Sequence, residues 1–494
     1  MQTSNSSQRQ ILKSTGILGS AQLIIIVIGI IRVKVLAVLL GPTGVGIAGL
    51  YQTTIDLIRS VTGFGISYSA VRDIAASAAT KDEKKIATTI VVLRKWVWAT
   101  GLLGMLVAIV FSKQLSYMAF GDKEHATGIV ILSLSLLLSS IASGQLALLQ
   151  GLRRIGDMAK ANVIGAVVGS IGAVLIYYFW GIKGIVPALL FTFVLALLIN
   201  WYFSRKIKTI PVQISYSEVF HKGKAMVALG FFLTLAGLSG TATMYLVRSF
   251  VSQQGGLASV GHFIAAWSIS SMYISAIFGA MGADFFPRLS GVQQDPVAIT
   301  KMVNEQTEVA LLITAPIIIG MVSFIDVVVR IFYSKDFGPT AGILDWQLTG
   351  DFFKVLAWPM GFIMLAKGKG KVFITTELAW NLLFCIGVYF GWKFFGIQVT
   401  GIAFLVSYVL YMLLLLVVAK KLVRFNWSSK VWNAILVFFP LVLLSFLGVK
   451  YLGHPIQYIT GALLTAIACS FSLYHLKNMI DINSLLKRFG VIKK

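Results

Sequence analysis

About fourteen apolar segments, each long enough to cross a bilayer, follow one another along these 494 residues with short polar connections between them. A membrane helix takes about 20 residues, so the chain is expected to fold as an all-α polytopic membrane protein. Only 12% of its residues are charged, against roughly 25% in an ordinary soluble domain. The segments fall near 11–40, 44–70, 87–112, 126–151, 159–180, 184–204, 224–250, 258–286, 303–332, 340–366, 371–394, 398–420, 431–450 and 455–476. The first is too long for a signal-peptide core and ends in Gly41-Pro42 without a small-residue cleavage site, so it is read as a retained span.

The net charge of +24 raises the question of a nucleic-acid partner. The basic residues lie mostly in short loops, where they set topology and meet anionic lipid, so no nucleic acid is expected. With the N-terminus inside, 28 Lys and Arg fall on the inner side and 6 on the outer. Positive residues collect in cytoplasmic loops, which places both termini in the cytoplasm. Cys385 and Cys469 both lie in apolar segments and the five histidines are scattered, so neither a disulfide framework nor a metal site is indicated.

The inner linker 205–223 follows the sixth span and divides the first twelve into six plus six. The expected organisation is an N-terminal six-helix lobe over 1–204, a cytoplasmic linker over 205–223 and a C-terminal six-helix lobe over 224–422. Two additional helices and a cytoplasmic tail occupy 423–494. Two halves of six resemble repeat-built transporters, whose sites lie between the halves near mid-membrane.

Charges inside the spans carry the functional signal, because each costs on the order of 3 kcal/mol at bilayer depth unless it faces protein or water. Lys34 stands seven residues before Gly41; it either snorkels outward or, with Arg32 on another face, lines the interior. Asp56 and Arg59 are three apart on one helical face, an arrangement that serves either as a structural pair or as an anion contact with an orienting acid. Gly63 and Gly65 follow at once, marking a place where the span bends or packs closely. Arg248 ends the seventh span, either as an interfacial anchor or as a ligand. Asp345, Trp346, Gln347, Asp351 and Lys354 cluster in the tenth span ahead of Pro359. That aromatic, amide and ion-pair stripe suits a sugar-bearing ligand, and it also suits interhelical hydrogen bonding.

Several short runs carry a resemblance: K-V-L-A-V-L-L-G-P-T-G-V-G from Lys34 to Gly46, G-F-G-I from Gly63 to Ile66, F-F-P-R-L-S from Phe285 to Ser290, and D-W-Q-L-T-G-D-F-F-K-V from Asp345 to Val355. In their order along the first twelve spans they resemble the Wzx-type O-antigen flippases. These form the polysaccharide-transport branch of the multidrug/oligosaccharidyl-lipid/polysaccharide exporter superfamily. Lys34, Arg248, Trp346, Gln347, Asp351 and Lys354 match the family pattern; Arg32, Asp56 and Arg59 depart from it, as do spans thirteen and fourteen.

The resemblance implies two six-helix lobes in a V within the bacterial inner membrane, opening alternately to each side. Their cargo would be an undecaprenyl-diphosphate-linked oligosaccharide moved from the cytoplasmic to the periplasmic leaflet in lipopolysaccharide biosynthesis. It further implies a polysaccharide polymerase and a chain-length regulator as partners, besides membrane lipids. On this reading Lys34, Arg59, Arg248, Trp346, Gln347 and Lys354 contact diphosphate and sugar, while Asp56 and Asp351 balance charge or couple to H+ or Na+. No cofactor and no covalent chemistry are expected. The alternative transporter is an ion-coupled drug or cation antiporter of the same superfamily, though the first span offers it Arg32 and Lys34 and no acid. An enzyme finds little support, because the longest outer loop, around 112–127, is short and no nucleophile-base set or phosphate-binding glycine loop stands out.

Overall fold

The computed structural model describes residues 2–479, with side chains from Gly19 onward except at 225, 229, 232, 233, 236, 283 and 478. The expected cytoplasmic tail beyond 479 lies outside the described residues. These residues are helical almost throughout. The first eight helices are α1 (Gln2–Thr62), α2 (Ile66–Ala79), α3 (Glu83–Val110), α4 (Ser112–Phe120), α5 (Ala126–Gly151), α6 (Ile155–Trp180), α7 (Ile185–Ser204) and α8 (Tyr216–Gly291). They are followed by α9 (Pro296–Ser323), α10 (Ile325–Phe332), α11 (Ala341–Ala366), α12 (Gly370–Phe395), α13 (Val399–Val423), α14 (Ser429–Tyr451) and α15 (Ile456–Met479).

Ten helical runs among the described residues are long and apolar enough to cross a bilayer. Four of them extend over 44, 50, 46 and 54 residues, about double what one crossing takes. Each of these is interrupted, at Gly41, at the 3-10 turn Gly181–Gly184, at Gly256 and at the 3-10 turn Gly396–Gln398. Six single and four double runs make the fourteen crossings that the apolar pattern predicts.

The interruptions repeat along the chain. Gly41 (φ 63°, ψ −171°) and Gly256 (φ 76°, ψ 174°) share a conformation open in practice only to glycine. Gly181 (φ 55°, ψ −136°) and Gly396 (φ 52°, ψ −138°) match in the same way, and Arg153 and Gly368 are both left-handed. Each pair is 215 positions apart. The backbone therefore traces one six-span path twice, from span one and again from span seven, although the side chains of the two copies show no evident similarity.

The chain divides into two compact units, residues 1–261 with 332–334, and residues 262–331 with 335–494. In the first, α1 packs on α6, and α5 on α3 and α7. The second span ends at Thr62, and after a turn through Gly63–Gly65 α2 sets off in a new direction. A Cβ on Gly65 would stand 2.2 Å from the Gly230 carbonyl oxygen, and one on Gly230 would stand 2.4 Å from that of Phe64. This backbone-to-backbone approach ties the first half of α8 to the α1–α2 break, so the unit takes in seven spans where the linker-based lobe has six. The linker itself is shorter than 205–223, since α8 begins at Tyr216. Its Ile207 and Ile214 pack with Val219 and Met226 on Ile66, Ile90 and Leu93, and Trp96 Nε1 donates to the Val219 carbonyl at 3.0 Å. The loop around 112–127 is partly structured by α4, whose Ser116 Oγ donates to the Asp122 carbonyl at 2.8 Å.

In the second unit α11 packs on α9 and α13, and α12 on α13. The last two helices, α14 and α15, both pack on α9. Asn304 of α9 fixes their entry: its Nδ2 donates to the Asn426 carbonyl at 3.0 Å and its Oδ1 accepts from the Ser428 amide at 2.7 Å. Spans thirteen and fourteen are thus part of this unit's packing.

Candidate functional site

In the first unit the polar residues of α1 gather on its second half. Arg59 and Asp56 form the ion pair that their spacing predicts, at 2.8 Å, with side chains 46% and 31% exposed. A pair this open contributes little to stability, which leaves it available for other partners. Gln52 Nε2 donates to the second carboxylate oxygen at 3.1 Å. Arg248 reaches the same place from α8: its Nη1 donates to Thr53 Oγ1, and its guanidinium lies within the electrostatic reach of Asp56. Its Nε is buried without a hydrogen-bond partner. Arg248, held on Thr53, thus brings a second guanidinium to the turn that carries the Asp56–Arg59 pair, leaving a net positive site in a span.

Arg59 also lines a cleft of about 700 Å³ with Ser60, Ser67, Gln150, Thr234 and Thr241, and among the described residues no carboxylate lines it. A cleft with a cation and many hydroxyls suits an anionic, hydroxyl-rich guest. Lys34 and Arg32, cations of the first span, are committed differently. Lys34 Nζ donates to the Tyr333 carbonyl, and Arg32 meets the Tyr177 hydroxyl of α6. The structure thus brings Asp56, Arg59 and Arg248 together and leaves Lys34 bound to a main-chain oxygen.

The second unit carries the tenth-span stripe on α11, which separates into two groups. Asp351, fully buried, accepts through Oδ2 from Ser270 Oγ at 2.8 Å and from the Tyr273 hydroxyl at 2.7 Å. Lys354 Nζ lies 3.9 Å from Asp351 Oδ1 and over the rings of Tyr408 and Phe404 at 5.5 and 5.7 Å. Gln347, one turn earlier on the same face, is fully buried with neither amide atom hydrogen bonded. Buried polar atoms without partners cost about 1–3 kcal/mol each, and Gln347 and Asp351 Oδ1 carry that cost inside the second unit.

Asp345 and Trp346 turn the other way. Lys450 of α14 sits 4.0 Å from the Trp346 ring and 3.8 Å from Asp345 Oδ2, and Phe446 packs edge-on against the indole. The ring's π face is taken up by Lys450.

Sequence reasoning missed Ser270 and Tyr273, three apart on α8 and ordinary in an apolar run. It also missed Glu377, whose carboxylate accepts from the Tyr411 hydroxyl at 2.5 Å. A lone acid in an otherwise apolar α12 was a legible signal. Among the described residues no group of three or more metal-ligating side chains occurs.

The family model described as polysaccharide biosynthesis protein matches residues 35–341, more than half of the sequence. The chain belongs to this family. It is 25% identical over 389 residues to the lipid III flippase of Escherichia coli K12, covering 78% of this chain and 92% of that one. It is 24% identical over 386 residues to a candidate O-antigen transporter of Shigella flexneri, covering 76% and 90%. Its fold is similar to that of the lipid II flippase MurJ in an inward closed conformation. That match has a TM-score of 0.71 at 16% identity and covers 93% of this chain and 99% of that one. It is also similar to an inward-facing multidrug-resistance transporter of the MATE family in the MOP superfamily, with a TM-score of 0.65 at 14% identity, covering 81% and 95%. The chain is therefore a multi-pass membrane protein whose fold is similar to those of these two structures.

Proposed function

We propose that the chain is a flippase that moves an undecaprenyl-diphosphate-linked oligosaccharide, an O-antigen repeat unit, from the cytoplasmic to the periplasmic leaflet of the bacterial inner membrane by alternating access. The observation that carries this reading is the placement of two guanidiniums near one carboxylate: Arg59, paired with Asp56, lines a hydroxyl-rich cleft, and Arg248 is held on Thr53 of the same helix. A diphosphate brings enough negative charge to occupy both guanidiniums, and charge-assisted hydrogen bonds repay part of the cost of taking it out of water. Asp56 holds Arg59 in place when the site is empty and competes with the phosphate when it is full, which favours release. Lys354 and Gln347 would meet sugar or phosphate in the second unit. Asp56 and Asp351 balance charge or couple the cycle to H+ or Na+. Similarity to a lipid III flippase over most of the chain supports the substrate class, and a polymerase and a chain-length regulator are the partners such a pathway uses. Both termini would lie in the cytoplasm.

Depletion of the protein tests the proposal. Undecaprenyl-diphosphate-linked repeat units are expected to accumulate, unreactive to a periplasm-restricted glycan label, while surface polysaccharide falls. Normal export with no competing flippase present overturns it. The MATE-like fold keeps an ion-coupled drug antiporter as the second reading, and restored resistance of a sensitive strain to cationic dyes would favour that one.

A further inference from the structure

A second cleft in the first unit, about 500 Å³, lies among α3, α5 and α7. Its walls are apolar, formed by residues such as Leu93, Val97, Leu137 and Leu197, and its mouth passes Trp98, Leu198 and Trp201, which are 50%, 54% and 49% exposed. Large apolar side chains this exposed on spanning helices face lipid. Two guanidiniums, Arg94 and Arg205, also line the cleft, and no carboxylate does. Arg205 lies over the rings of Trp201 and Tyr202 at 4.7 and 5.2 Å. Arg94, inside the expected third span, makes no hydrogen bond or ion pair with a described residue. Deeper in, Gln145 Oε1 is buried without a donor.

Both arginines belong to the same membrane half, since α3 starts and α7 ends on the side that the charge asymmetry makes cytoplasmic. Both guanidiniums are exposed at the cleft, where an anionic headgroup can reach them, and apolar walls call for a hydrocarbon chain. The other large basic cavity, near Lys301, Lys421 and Arg424, has Glu305 and Glu308 in its own lining. Here the balancing anion has to come from outside the protein.

We propose that this cleft binds phosphatidylglycerol from the cytoplasmic leaflet. One acyl chain lies along the apolar walls, the phosphate sits between Arg94 and Arg205, and a glycerol hydroxyl donates to Gln145 Oε1. The site is independent of the transport reading and lies apart from Arg59's cleft in its lining residues.

Native mass spectrometry of the full-length protein, titrated with dioleoyl phosphatidylglycerol or dioleoyl phosphatidylcholine, tests it. The first bound phosphatidylglycerol is expected to bind well ahead of phosphatidylcholine. Arg94→Gln with Arg205→Gln is expected to weaken it roughly thirtyfold, the equivalent of about 1 kcal/mol for each arginine. Lys301→Gln with Lys421→Gln should leave it unchanged. Equal binding of the two lipids, or an unaffected arginine variant, overturns the proposal.

A measurement on folded protein without the arginine changes stands beside this. At a low fraction of brominated phosphatidylglycerol in phosphatidylcholine vesicles, tryptophan quenching should exceed the bulk lipid ratio. Trp98→Phe with Trp201→Phe should remove the excess, and absence of any excess in the unaltered chain also overturns the proposal.

Discussion

Gly41 and Gly256 hold the same backbone conformation 215 positions apart, each at a break inside a double-length helical run. A side chain there would meet no neighbour within 4 Å, so the requirement for glycine is conformational and not one of space. Gly41→Ala and Gly256→Ala are each expected to lose about 1–3 kcal/mol, read as a lower thermal midpoint in detergent. Gly240→Ala, in regular helix with open space around it, should be neutral or gain up to about 1 kcal/mol. Equal midpoints for all three would show that the shared conformation carries no constraint.

Arg59 and Arg248 are expected to act as a unit around Asp56. Arg59→Gln and Arg248→Gln should each lower export in a deletion strain by roughly tenfold or more, as befits loss of a charge-assisted bond of about 1.5–3 kcal/mol. Arg248→Lys, which keeps charge but not the forked donor geometry, should recover only part. Export by Arg248→Gln at the level of the unaltered chain, with equal protein in the membrane, would remove Arg248 from the site.

Asp351 is expected to be structural as well as functional, because it collects two hydroxyl donors and faces Lys354. Asp351→Ala strands a lysine and should cost about 3–5 kcal/mol. Asp351→Asn with Lys354→Gln should melt higher than Asp351→Ala, and the reverse order would mean that the pair is not what holds this part of the unit.

Thiol labelling checks the orientation. With Cys385 and Cys469 replaced by Ser, Lys183→Cys and Lys335→Cys should react with an impermeant reagent on intact spheroplasts. Lys208→Cys and Lys367→Cys should react only after permeabilisation. The opposite pattern would invert the topology that the basic residues dictate.

The spans were legible because hydropathy and loop charge report on lipid, and lipid is the same everywhere along the chain. The Asp56–Arg59 pair was legible because helical spacing settles it locally. What brings Arg248 to Thr53, or Ser270 and Tyr273 to Asp351, is packing between helices distant in sequence, which no local pattern encodes. The tenth-span stripe shows the limit well: Trp346 and Gln347 are neighbours in sequence, yet one turns to Lys450 and the other into the buried face with Asp351. The repeat was hidden for a related reason. Its signature lies in φ and ψ at Gly181 and Gly396, and the side chains around them have diverged.

The break at Gly63–Gly65 has no counterpart in the second half, where the corresponding residues 278–280 continue as unbroken α8. In a symmetric homodimer every substitution appears twice, and such a joint could not be acquired by one copy alone. Two copies of one path in a single polypeptide escape that rule. One half carries an articulation next to its arginines where the other runs on as helix, an asymmetry that two identical subunits could not have.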